Sequence, residues 1–222
     1  QIEKKKRIPG PDGRTPNEEL VACRTELRAQ ARIVGRLLER ELRPALAAAG
    51  LPILDAGDLD EAQRAHLRAL FHDSIEPLLT PLAVDATHPF PFISNLGLNL
   101  AVEVREKGRR RSRFVRIKVP SNLSRWAKLP AIAAIVPLEQ VIALSLPSLF
   151  PEASEIRCSL FRVTRGAESD PWIDIESDEE PDFTPGALLS RVTAELTARK
   201  FAGIVRLQVS ADMPEDLQLW LA

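Results

Sequence analysis

The chain has 222 residues, of which 45% are hydrophobic and 27% charged, values that exclude disorder, collagen-like repeats and a coiled-coil rod. Thirty Lys and Arg against 31 Asp and Glu leave a formal charge of −1, so no global basic excess recommends a nucleic-acid or membrane-surface binder. Cys23 and Cys158 lie far apart and match neither a metal-ligand spacing nor a secreted disulfide framework, which suits a reducing cytoplasm. Apolar runs are short and broken by charge or proline, so no membrane span is expected. The chain opens Gln1-Ile2-Glu3 and stops at Trp220-Leu221-Ala222 inside a helical pattern, which reads as a piece of a longer protein.

Lys4 to Gly13 combines a charge run with turn formers and reads as an exposed loop. Thr15-Pro16-Asn17-Glu18 then offers a capping hydroxyl, a proline at the first helical position and a glutamate two residues on. Leu20, Cys23, Leu27, Ala31, Val34 and Leu38 recur at helical spacing, predicting one long amphipathic helix that bends near Pro44 and ends at Gly50. A domain boundary is expected near residue 56, dividing 1–56, a helical region, from 57–222, an α+β region. Asp60 to Glu76 is the next predicted helix, with Leu67, Leu70, Phe71 and Ile75 on one side. Pro77, Pro81, Pro89 and Pro91 impose an extended, turn-rich path from Thr80 to Asn95, packed as an ordered loop.

Alternating apolar residues predict strands over Leu98–Arg105 and Phe114–Val119, joined as a hairpin through Glu106–Ser112. In the second strand Val115, Ile117 and Val119 face opposite Arg116 and Lys118. Ile132 to Val136 is a short apolar run, and Leu138 to Leu146 reads as a helix before Pro147. Ile156 to Thr164 is the next strand, and Glu168 to Asp182 holds eight acids and no Lys or Arg. Thr184-Pro185 starts a further helix, Ile204 to Val209 returns as a strand, and Asp212-Met213-Pro214-Glu215 caps the last helix. Strands joined by hairpins and separated by helices define an α+β domain, a mostly antiparallel sheet with helices on one face, preceded by an antiparallel helical segment.

Catalytic signatures are scarce. His66 and His72 are six apart on a helix and cannot form a metal pair at i, i+4, and His88 reads as a hydrogen-bonding brace in the proline-rich loop. No glycine-rich phosphate loop or nucleophile elbow occurs. The densest charge feature is the hairpin, where Arg105, Lys107, Arg109, Arg110, Arg111, Arg113, Arg116 and Lys118 place eight cations within fourteen positions. Arginine forks match phosphate geometry, so these residues are the candidate contacts for a polyanion. A solvated hairpin, or an arm meeting the acidic 168–182 segment of a second subunit, is the competing reading. No aromatic residue interrupts the tip arginines, which argues against stacking on single-stranded nucleic acid.

The run Leu79-Thr80-Pro81-Leu82-Ala83-Val84-Asp85, then His88-Pro89-Phe90-Pro91-Phe92-Ile93-Ser94-Asn95-Leu96, then Leu98-Asn99-Leu100-Ala101-Val102 resembles the signature of the bacterial polyphosphate kinases that work through a phosphohistidine. Ile117-Lys118-Val119-Pro120, Val136-Pro137-Leu138-Glu139, Phe161-Arg162-Val163-Thr164-Arg165, and Val205-Arg206-Leu207 with Ala211-Asp212-Met213-Pro214 resemble the same family in the same order. The resemblance implies the end of an N-terminal helical domain followed by a head domain that contributes to a homodimer. It implies a parent enzyme that passes the terminal phosphate of ATP reversibly to polyphosphate, with Mg. The family's phosphohistidine and its nucleotide and Mg residues belong to regions that this chain does not match. No catalytic, cofactor-binding or metal residue is therefore carried over, neither ATP nor Mg is expected on this chain alone, and the Arg109-Arg110-Arg111 tip is not a family hallmark.

Overall fold

The computed structural model describes residues 13–84, 91–109, 112–166 and 203–221. The expected N-terminal loop, the His88 brace, the acidic 168–182 segment and the helix after Thr184 lie wholly or mostly outside them.

Helix α1 (Pro16–Leu37) begins with the expected reciprocal cap: Glu18 N donates to Thr15 Oγ1 at 3.4 Å, and Thr15 N donates to Glu18 Oε2 at 2.8 Å. The helix passes through a π-helical turn, Leu38–Leu42, into α2 (Arg43–Ala48). Pro44 explains the wide turn, since it has no N–H and its ring would strike the carbonyl four residues back. Gly50, at φ +83°, ends the run in the left-handed conformation that favours glycine. The same device recurs after α3 (Glu61–Leu70), which is capped reciprocally by Asp60 and Gln63 and widens into a π turn, Phe71–Ile75, just ahead of Pro77. Leu67, Phe71 and Ile75 are buried, as their spacing predicts.

Strands β1 (Leu82–Val84), β2 (Leu98–Glu106) and β3 (Arg113–Lys118) come next, followed by a separate two-stranded hairpin of β4 (Trp126–Leu129) and β5 (Ala134–Pro137). Helices α4 (Leu138–Leu144) and α5 (Leu146–Leu149) lead to β6 (Ala153–Arg165), and β7 (Ile204–Val209) precedes α6 (Glu215–Leu221). The main sheet has the order β1-β3-β2-β6-β7 and is antiparallel throughout, so the fold is α+β as expected. β1 falls inside the stretch expected to take an extended, turn-rich path, and β4 and β5 lie where alternation predicts no strand. Each has only three or four residues, too few for a period of two to stand out.

One face of the sheet carries Ala101, Phe161 and Val163 against Ile93, Met213 and Leu217, with Phe114, Leu207, Val209 and Leu221 packed around them. Phe114 meets Trp220 of α6 with ring centroids 4.6 Å apart. On the other face Leu100, Val102, Val104, Val115 and Ile117 are equally buried.

The chain divides into two compact units, one of residues up to Leu54 with Lys128–Ile135, the other of Asp55–Ala127 with Val136 onward. In the first, Leu54 N donates to Ile135 O at 2.9 Å and Ile135 N to Pro52 O at 3.0 Å, a short parallel bridge. In the second, an ion pair between Arg125 and Glu139 ties the segment before β4 to the first turn of α4. Among the described residues no helix is long and apolar enough to cross a membrane.

Candidate functional site: the basic hairpin

The β2–β3 hairpin is set by register: Asn99 pairs with Lys118, Ala101 with Arg116 and Val104 with Arg113. Gly108, at φ +78°, makes the turn. The candidate cations separate along this frame into two groups. Arg113 and Lys118 stand five residues apart in an extended strand, about 17 Å at ~3.4 Å per residue.

Near the turn, the arginines are met by acids. Arg105 forms an ion pair with Glu155, its register partner on β6, and Arg157 Nε donates to Glu155 Oε1 at 2.8 Å. Glu106 takes two further arginines, with Arg109 Nε at 2.9 Å and Arg113 Nη2 at 3.6 Å. Glu103, Arg105, Ser112, Glu155 and Arg157 line an open cleft whose two acids balance its two bases. Lys107 is exposed in the turn with no ion pair among the described residues, and Arg110 and Arg111 lie outside them.

The far group differs in kind. Arg116 is only 7% exposed, because both β1 and β2 flank β3: its register partners are Ala101 and Leu82. Its Nε donates to Asn99 Oδ1 at 2.7 Å, and Asn99, itself buried, donates from Nδ2 to Gly97 O at 2.8 Å. No carboxylate faces this guanidinium among the described residues, and desolvation lowers its pKa from the ordinary arginine value. Lys118, two residues on and on the same face, is exposed.

The proline-rich loop reaches this region from the sheet's end. Leu96 N donates to Val163 O at 2.9 Å from a left-handed backbone at φ +58°. Arg165 holds the loop three ways: its N donates to Asn95 Oδ1 at 2.9 Å, its Nε to Ile93 O at 3.0 Å, and its guanidinium lies 4.3 Å from the Phe92 ring centroid. Of the described part of the loop, Ile93 is buried in the core while Phe92 and Leu96 are exposed, so the stretch is held by hydrogen bonds and the Arg165 contact more than by the burial of large apolar side chains that its composition predicts.

Of the histidines, His66 and His72 are exposed, and His72 Nδ1 lies 2.6 Å from Glu76 Oε2. Among the described residues no three of His, Cys, Asp and Glu converge to hold a metal ion.

A hairpin-rich antiparallel sheet with a tethered proline-rich loop defines the class of domain, and its relatives make the class specific. Residues 62–222 match the polyphosphate kinase middle domain. Over 93% of this chain, the polyphosphate kinase of Mycolicibacterium gilvum is 39% identical and that of Mycobacterium ulcerans 38%. The chain spans 28% of the length of each. The crystal structure of polyphosphate kinase from Porphyromonas gingivalis superposes with a TM-score of 0.67 over 91% of this chain and 28% of that one, at 21% identity. The chain belongs to the polyphosphate kinase family.

Proposed function

We propose that this chain is the end of an N-terminal helical domain, 1–56, and the head domain, 57–222, of a cytoplasmic ATP:polyphosphate phosphotransferase. The match of residues 62–222 to the family's middle domain carries this reading. In it the parent enzyme uses ATP and Mg, and this part serves assembly, as a homodimer through the head domain, rather than phosphoryl transfer. Incubation of the chain with Mg and labelled ATP should leave no phosphohistidine; a labelled histidine would overturn the reading.

A second role fits the hairpin, that of a polyphosphate-binding surface built from Arg105 to Lys118. It is supported by the cations that have no acidic partner among the described residues, Lys107, Arg116 and Lys118. Binding of polyphosphate that weakens with added salt is the expected signature. Affinity that survives neutralisation of every cation from Arg105 to Lys118 would refute it.

A further inference from the structure

The far group of cations carries more than a charge. Arg116 has five N–H donors and uses one of them, Nε, on Asn99. Among the described residues, the fully enclosed side-chain polar atoms without a hydrogen bond are Ser94 Oγ and Glu139 Oε2, and the second has the Arg125 ion pair instead. The Nη nitrogens of Arg116 are not in that set, so they reach solvent through the remaining 7% of the residue's surface. A guanidinium enclosed this far and facing no carboxylate leaves its Nη donors open to an anion at that opening.

Ser94 stands at the same place. A Cβ added at Gly97 would come 2.8 Å from Ser94 Oγ and 3.8 Å from Lys118 Cε, so the bare glycine brings the enclosed hydroxyl and the lysine stem together. Asn99 has both ends engaged, Nδ2 on Gly97 O and Oδ1 on Arg116 Nε, which fixes the glycine and the guanidinium relative to each other. Gly97 thus lies beside the Ser94 hydroxyl and the Lys118 stem, and Asn99 links it to the Arg116 guanidinium. A guanidinium fork, an ammonium and a hydroxyl suit a tetrahedral, multiply charged oxyanion, whose oxygens do not lie in one plane, better than a planar, singly charged carboxylate.

We propose that Arg116, Lys118 and Ser94, positioned by Asn99 and Gly97, form a phosphate-binding site at the end of the hairpin away from its arginine tip. This deepens the polyphosphate-surface reading and rests on it, but assigns the contact to the far group and not to the acid-paired arginines near the turn. The occupant is a phosphate group, supplied either by free orthophosphate or by one unit of a polyphosphate chain.

The test titrates orthophosphate and tripolyphosphate separately into the 222-residue chain by calorimetry, with melting temperature as the folding control. Ser94→Ala removes a hydroxyl that has no partner in the fold, so it should leave the melting temperature unchanged and weaken binding about fivefold or more, the loss of one hydrogen bond to a charged ligand. Lys118→Gln, at an exposed position, should weaken it about three- to fivefold. Arg116→Lys keeps the charge without the fork and should weaken it at least about tenfold. Binding of either probe with these losses supports the site, and preference for one identifies its source. If Arg109→Gln, Arg110→Gln and Arg111→Gln together abolish binding while Ser94→Ala and Lys118→Gln stay within about twofold of the parent, this site is refuted and the surface reading stands. If the parent chain binds neither probe at low salt, both fall.

Discussion

The first helix and the main sheet place their apolar side chains in opposite situations. In α1 no residue is buried, and Val34 is 65% exposed although it belongs to a regular apolar stripe. In β2, Leu100 and Val102 are fully enclosed, and Ala101 between them is enclosed from the other side. Amphipathic spacing therefore marks a face that wants covering, and only the rest of the fold decides whether it is covered. The helix stands on its caps and backbone hydrogen bonds; the sheet stands on packing.

The largest test of this contrast is a pair of truncations read by chemical denaturation. Phe161→Ala, in the apolar cluster beneath α6, should cost about 3–5 kcal/mol. Leu27→Ala, at the middle of the α1 stripe, should cost no more than about 0.5 kcal/mol. A large, concentration-dependent cost at Leu27 would break the contrast, because it would mean that the stripe is covered by association.

Arg125→Ala probes a polar element of the second unit. Glu139 is 9% exposed and takes Arg125 as its counter-charge, so removing the arginine strands a nearly buried carboxylate. Arg125 is itself half-exposed, which lets water replace part of the interaction, so about 2–3 kcal/mol is expected. The double variant Arg125→Ala with Glu139→Gln should recover much of it, and failure to do so would assign the cost to packing instead.

The caps give a smaller effect. Thr15→Ala deletes the acceptor for Glu18 N and should lower the stability of α1 by about 1 kcal/mol, read as lost helicity or faster amide exchange in its first turn. Because no tertiary burial supports α1, the loss should show there and leave the exchange of β2 unchanged.

How far the chain could be read from its residues follows the same line. The Thr15 cap, the bend near Pro44 and the strands over Leu98–Arg105 and Phe114–Val119 are local signals, and the structure has elements at each. Arg116 is the instructive failure. Alternation sets it opposite Val115 and Ile117 and so out toward solvent, but β1 pairs along β3 and both sheet faces are covered, which buries it. A period of two separates two faces without saying that either is wet. The neutralised arginines were hidden for a different reason: Glu155 reaches Arg105 across fifty positions of sequence, through strand register alone. Glu106, by contrast, sits inside the charged run and was a visible local partner. Ser94 and Asn99 carry no charge, and although both stand in the family-like run nothing in that run marks them as site residues; only their shared closeness to Gly97 does so.

The two cysteines sharpen the contrast with the least disturbance to the fold, since one lies in each region. Cys23 is exposed on α1, whereas Cys158 lies on β6 opposite Val102, partly enclosed. Burial, and secondarily the negative charge of Asp212, push the Cys158 thiol up to about 12. The thiolate is the reactive form, so at pH 8 a small alkylating reagent should modify Cys23 at least about a hundredfold faster than Cys158. Below the unfolded pKa both states hold the proton and stability does not depend on this group. From about pH 9 to about 12 the unfolded chain ionises while the folded thiol does not, so stability falls over that window. Asp212→Asn should lower the Cys158 pKa and narrow the difference in rate, by less than exposure of the thiol in denaturant would. Equal alkylation of the two cysteines in the native chain would instead show that β6 opens as readily as α1, and the division between a packed sheet and an uncovered helix would fail at its centre.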